Sequence, residues 1–213
     1  MKTLSNSKFP DAIALQEPFD RAQLPGYVAC GYPCECTQKD IKVCTLVKRG
    51  TAFIDHSLDI SEESDIDHNL VEVVPCIGNQ NTGLFVLNVY SPPSKRGLTH
   101  NFGALFREAM AKAASNPLLI CGDFNVPHMQ WEYGADSPKG KRLAELMDEL
   151  GLDLLNEPNV TRYFFQFANC YAASVTLPCT CQKAQARPLS AVPSDNGTDA
   201  VSVGVICMVP GVF

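Results

Sequence analysis

Three apolar runs in this chain end in polar side chains that would be costly to bury without partners. Glu17 closes FPDAIALQE, Asn88 and Tyr90 lie at the end of GLFVLNVY, and Asp123 and Asn125 close LLICGDFN. Strand ends are where α/β proteins build their sites. Residues two apart on an extended segment face the same way, so Asp123 and Asn125 are expected to face one ligand while Phe124 turns into the core. Gly122 beside them lets a ligand or another backbone approach closely. An Asp there can orient or deprotonate a water, and Asn125 can hydrogen-bond a phosphate oxygen without adding negative charge. Glu17 supplies a hard oxygen ligand for Mg2+ or Mn2+, ions that keep several waters and use one or two carboxylates. Tyr90 offers a phenol to a phosphate oxygen. The chemistry such a set can perform is metal-dependent phosphodiester hydrolysis, with charge offset at the scissile phosphate and Asp123 directing the attacking water.

Each residue also has an ordinary reading. A Glu before Pro18 is commonly a solvated strand end, Asp-Phe-Asn is turn-forming, and Tyr90 suits an interface with a wet hydroxyl. What favours the chemical reading is the coincidence of all three at strand ends.

The elements that must position these residues are legible in outline. FPDAIALQE reads as a short strand stopped by Pro18. Residues 26–33 and 41–55 carry weaker strand signals, and Arg49-Gly50 predicts a hairpin within the second. LVEVVPC and GLFVLNVY, joined by the turn-rich GNQNTG, predict an antiparallel pair. The near 3.6-residue period of NFGALFREAMAKAA predicts a helix, as does KGKRLAELMDELG, which Gly151 stops. Leu152 to Leu155 restart as a strand. Strands alternating with helices after an opening of hairpins predict an α/β fold, a mixed sheet covered by helices. From Phe164 onward the pattern weakens, and VSVGVICMVPGVF is expected as an edge strand or a poorly packed tail.

The composition bounds the function. With 213 residues and 46% apolar content, one domain with a full core is expected. A net charge of −6 argues against holding nucleic acid by a broad basic face, though not against a nuclease, because a bound divalent cation reverses the local field. Asp55, Asp59, Glu62, Glu63, Asp65, Asp67 and Glu72 predict a solvated loop or exposed strand edge. Among the ten cysteines, Cys30, Cys34, Cys36 and Cys44 lack a familiar zinc spacing, so free thiols are expected. Without a secretory signal or an 18-residue apolar run, a soluble intracellular protein is the default expectation.

DAIALQEP at 11–18, LFVLNVYSPP at 84–93 and LLICGDFNVPHMQWEYG at 118–134 resemble, in order and spacing, the endonuclease/exonuclease/phosphatase superfamily. The resemblance is to the apurinic-type endonuclease domain of non-LTR retrotransposons, and RLAELMDELGLDLLNEPNVTRY at 142–163 continues it. It implies a four-layer α/β sandwich of two packed sheets, with a domain over 9–163 and a divergent or disordered tail over 164–213. Glu17 is implied as the metal ligand, Tyr90 as a phosphate contact, Asp123 and Asn125 as the water-orienting and phosphate-binding pair, and DNA as the ancestral substrate.

Two parts of the family pattern are missing: a first strand bearing an Asn, for which only MKTLSNSK remains, and the closing Ser-Asp-His. All four histidines precede residue 129, and Ser194-Asp195-Asn196 has Asn where His belongs. The chain therefore reads as truncated before residue 9, and a remnant that has lost hydrolysis competes with an active nuclease. Two further readings are a phosphatase or lipid phosphodiesterase of the same fold and a module binding DNA through Lys95, Arg96, Lys139, Lys141 and Arg142.

Overall fold

The computed structural model describes residues 10–18, 24–31, 42–58, 60, 64–74, 83–93, 100–131 and 134–155, and the backbone of three later strands. In chain order the elements are β1 (Ala12–Gln16), β2 (Tyr27–Cys30), β3 (Val43–Lys48), β4 (Ala52–His56), β5 (Asp67–Val74) and β6 (Leu84–Tyr90). They continue with α1 (Phe102–Ala113), β7 (Leu118–Asp123), α2 (Pro138–Leu150), β8 (Leu152–Leu154), β9 (Tyr171–Thr176), β10 (Gln185–Ala186) and β11 (Val205–Pro210). A short 3-10 turn, Met129–Trp131, follows β7.

Two sheets result, of order β10-β9-β1-β3-β2 and β4-β5-β6-β7-β11-β8. The first pairs antiparallel throughout, and the second is mixed because β6 and β7 run parallel. The period-two alternation of each strand assigns its two faces. On β6, Phe85, Leu87 and Val89 join Leu118 and Ile120 of β7 beneath Phe102, Leu105 and Phe106 of α1 and Leu143 and Met147 of α2. Leu84 and Val86, with Leu119 and Cys121 of β7, instead meet Ala12 and Ala14 of β1 and Val47 of β3, forming the core between the sheets. Ile13, Leu15, Cys44 and Leu46 lie on the outer face of the first sheet with Tyr27. The α/β fold of two packed sheets with helices is as expected, and both described helices cover the six-stranded sheet.

Both helices carry the local signals that predict them. Asn101 caps α1 by accepting from the Ala104 N–H at 3.1 Å. Ser137 caps α2, Pro138 occupies its first turn, and Gly151 ends it in the left-handed conformation. The β5–β6 antiparallel pair also matches expectation.

Two strand expectations are corrected. Arg49-Gly50 does not close a hairpin: β3 pairs with β1 and β2, whereas β4 pairs with β5, so this turn carries the chain from one sheet to the other. β4 has mostly exposed residues and, among the described strands, pairs with β5 alone, so little in its side chains ties it to β3. The run near the C-terminus is not an edge strand, since β11 lies between β7 and β8. Nor does the pairing stop at Tyr163: β9 pairs with β1 along its whole length. Of the described acidic residues of the 55–72 stretch, Asp55 lies on strand β4, Asp65 is exposed just before β5, and Asp67 and Glu72 lie on β5. Cys30, Cys44 and Cys121 are buried, while Cys34 and Cys36 lie outside the described residues. No helix among the described residues is long and apolar enough to cross a membrane.

Candidate active site

Parallel pairing aligns the ends of β6 and β7, with Val89 opposite Gly122 and Tyr90 opposite Asp123. The register continues one step further, where the Ser91 N–H donates to the Asp123 carbonyl at 2.8 Å. Gly122 is required for this approach: a Cβ built there would stand 1.9 Å from the Val89 carbonyl oxygen. The close neighbour anticipated for this glycine is thus the backbone of β6. By alternation Tyr90 and Asp123 share the face of Leu119 and Cys121, which looks toward the first sheet. Glu17 leaves that sheet at the end of β1, and its carboxylate lies near enough to the Tyr90 hydroxyl to raise that phenol's pKa.

Asp123 and Asn125 come together, though not along a continuous strand. β7 stops at Asp123, and Asn125 takes a left-handed conformation with φ of 48°. Its N–H donates to Asp123 Oδ1 at 3.0 Å, and its Nδ2 donates to the Ser91 carbonyl at 3.1 Å. Phe124 turns into the core and is fully buried, as expected. The turn-forming tendency of Asp and Asn is therefore the means by which the pair is assembled. Glu17 also has a left-handed φ of 48°, fixed by its N–H donating to the Lys42 carbonyl at 2.7 Å. Backbone strain of this kind costs about 1–3 kcal/mol and gathers at functional sites.

The electrostatics follow from burial beside like charge. Burial first, then Glu17, Asp123 and Asp67, push the Tyr90 phenol well above its ordinary range. Asp123 is pushed up to about 6, chiefly by burial and further by Glu17, against the lowering effect of the Asn125 amides and Lys139. Lys139 is pushed down to about 8 by burial, with Asp123 acting in the opposite sense. Lys42 Nζ lies 3.6 Å from Glu17 Oε1 and 5.9 Å from the centre of the Tyr90 ring.

Asn88 does not line the mouth of the site. It is fully buried and bridges the sheets, donating through Nδ2 to the carbonyls of Leu15 and Cys44 at 3.1 Å each. It accepts from Gln16 Nε2, and beside it Thr45 donates to Asn69 at 2.7 Å. A polar residue near a strand end is here a strut between layers, one turn of the pleat below Tyr90.

Lys139 departs furthest from its sequence reading. Placed there among surface cations, it is 7% exposed, and its Nζ donates to the Pro92 carbonyl at 2.9 Å. Lys141 and Arg142 are exposed, as expected, while Lys95 and Arg96 lie outside the described residues. So does the Ser194-Asp195-Asn196 echo. Sequence reasoning also missed Ser91, fully buried with Oγ 3.1 Å from His100 Nδ1, and Asp67, opposite Tyr90 on β5. A signal for Lys139 existed: it follows the cap Ser137-Pro138, where the helix dipole disfavours a cation.

Among the described residues no three His, Cys, Asp or Glu side chains converge as a closed metal cage. Mg2+ does not need one: it keeps its waters and takes one or two carboxylates plus substrate oxygens. Glu17, with its side chain 36% exposed and in electrostatic contact with Asp123, fits that open kind of site.

Residues 84–175, from β6 into β9, match the family model described as Endonuclease-reverse transcriptase. Among solved structures, the endonuclease domain of TRAS1, a telomere-specific non-LTR retrotransposon, aligns with a TM-score of 0.54 at 16% identity. That alignment covers 93% of this chain and 84% of the other. The human Nocturnin catalytic domain follows with a TM-score of 0.47 at 14% identity, over 94% and 80% of the two chains. TDP2 from C. elegans gives 0.44 at 16% identity, over 73% and 47%. No curated protein is matched by sequence. The fold is that of the TRAS1 endonuclease domain, and the family match lies within residues 84–175.

Proposed function

We propose that this chain, carrying an endonuclease/exonuclease/phosphatase fold with a segment of the endonuclease–reverse transcriptase type, is a divalent-metal-dependent phosphodiesterase acting on DNA. The observation that carries the reading is the meeting of Glu17, Tyr90, Asp123 and Asn125 at the ends of β1, β6 and β7, with the Glu17 carboxylate acting on the Tyr90 phenol and the Asp123–Asn125 turn holding the pair. The domain is taken as 9–163, with the divergent segment 164–213 adding β9 to the sheet of β1 and β11 to the sheet of β7.

In this reading Glu17 holds Mg2+ or Mn2+, which supplies charge neutralisation at the scissile phosphate and at the departing oxygen. Asp123, a carboxyl tuned toward neutrality by burial, orients the attacking water and takes its proton. Asn125 keeps one amide hydrogen on Ser91, and the other, near Asp123, turns to a phosphate oxygen when substrate binds. The Tyr90 phenol, held protonated by its surroundings, donates to the phosphate once substrate competes for it with Glu17.

The competing reading is a chain that keeps the fold without hydrolysis, favoured by the missing Ser-Asp-His of the sequence. Plasmid nicking by the purified chain with Mg2+, beside the Asp123→Ala variant, separates the two. Nicking that Asp123→Ala lowers by about 10²–10⁴-fold supports the enzyme. Equal behaviour of the two proteins, whether both nick or neither does, rejects it.

A further inference from the structure

Lys139 stands second in α2, after the capping Ser137 and Pro138. The first turn of this helix is pressed onto the loop that follows Asn125. The Ser137 N–H donates to the Pro127 carbonyl at 2.8 Å, and a Cβ at Gly140 would stand 2.3 Å from that same oxygen. From there the Lys139 side chain runs inward, its Nζ reaching the Pro92 carbonyl at 2.9 Å and lying 5.6 Å from the centre of the Phe102 ring.

Pro92 and the fully buried Ser91 form the chain's exit from β6, and they are tied from every side. The Ser91 N–H goes to Asp123, its carbonyl receives Asn125 Nδ2, and its hydroxyl meets His100. Lys139 adds a charged donor to this set. The Pro92 hydrogen bond, the Phe102 ring and the charge of Asp123 favour the ammonium, but the cost of burying it outweighs them, and the positive end of a helix raises that cost. A methionine of similar length would fill the space without either penalty, and such replacements of buried charge are often neutral or stabilising. Costs kept at one position, beside a cluster of chemical side chains, are the usual sign of a residue retained for function.

We infer that Lys139 is a positioning residue: its ammonium fixes the Ser91–Pro92 turn so that Tyr90 and Asn125 flank Asp123 in the geometry hydrolysis requires. The catalytic consequence rests on the phosphodiesterase reading above, while the structural part is independent of it. Lys139 acts through the backbone of Pro92 and touches no substrate in this account.

The test uses the full chain and its Lys139→Met and Lys139→Arg variants, with three readouts: melting temperature, steady-state nicking, and amide hydrogen exchange at Ser91. Lys139→Met is expected to melt at or above the wild-type temperature while kcat falls about 10²-fold, with KM within about twofold, the cost of a small misplacement of reacting groups. Lys139→Arg is expected to recover at least about tenfold of that loss, because it restores a charged donor. Exchange of the Ser91 amide should quicken by about tenfold or more in Lys139→Met, as its hydrogen-bonded segment loosens. Wild-type kcat in Lys139→Met, unchanged exchange at Ser91, or a melting temperature that falls in step with activity would each overturn the inference. A wild type that does not nick would reject the phosphodiesterase reading alone, and the exchange and melting measurements would still decide the role of Lys139.

Discussion

Tyr90 and Asp123 face each other in the parallel register of β6 and β7, one pair beyond the contact between Val89 and Gly122. The chemical pair exists because the glycine pair precedes it. Gly122→Ala would place a Cβ 1.9 Å from the Val89 carbonyl oxygen, and no rotamer relieves a clash with backbone. The variant should lose on the order of 3–5 kcal/mol of stability, the range of severe backbone and packing lesions. Urea unfolding followed by Trp131 fluorescence measures this directly. A variant within about 1 kcal/mol of wild type would show that the strands can separate here without cost.

Asp123 leads to a prediction about pH. Its folded carboxyl titrates near about 6, against an ordinary value of 3.8, so the folded protein binds this proton more tightly than the unfolded chain does. The group's contribution to stability is therefore complete below the unfolded value and is lost as pH rises through about 6. Activity runs the other way, since directing a water needs the ionised form, and nicking should fall on the acid side of this midpoint. Carbon-13 titration of the side-chain carboxyl in metal-free protein should give a midpoint near 6, well above the ordinary value of 3.8. A midpoint at the ordinary value would mean that water reaches Asp123 far more freely than its 2% exposure allows.

How far the sequence reveals this site depends on the range of the interaction involved. The helices were legible because their signals are local: Asn101 and Ser137 cap, Gly151 stops, and the apolar period spans only a few turns. Glu17, Tyr90, Asp123 and Asn125 were legible as polar ends of apolar strands. The partner of a strand is a long-range fact, and Arg49-Gly50 looked like a hairpin because nothing local says that β3 and β4 belong to different sheets. Lys139 and Asn88 failed for a related reason: a lysine in a helical run or an asparagine in a strand reveals its burial only once Pro92, Leu15 and Cys44 are in place.

Asn88 is the most direct test of how the sheets are joined. Its side chain connects β6 to the backbones of β1 and β3, and Gln16 donates to it from β1. Asn88→Ala removes these bonds and leaves a cavity between the layers, a combined cost of about 2–4 kcal/mol. Urea denaturation should show the loss with little change in slope, because the folded and unfolded surfaces are nearly those of the wild type. An unchanged midpoint would mean that water replaces the amide at no cost.

Glu17 connects the metal proposal to a property measurable without metal. Its carboxylate acts on the Tyr90 hydroxyl and raises the phenol's pKa, second in effect to burial. Glu17→Gln removes that negative charge and should lower the Tyr90 pKa in metal-free protein, while burial keeps it above the ordinary value of 10.0. Carbon-13 resonances of labelled tyrosine, assigned with Tyr90→Phe, report the shift. If Glu17 is also the Mg2+ ligand, the same variant should need far more Mg2+ for half-maximal nicking, because a carboxamide binds this hard cation weakly. A lowered Tyr90 pKa with an unaltered Mg2+ requirement would keep the geometry described here and move the metal to another ligand. An unaltered pKa would remove the Tyr90–Glu17 contact, and with it the observation on which the active-site reading chiefly depends.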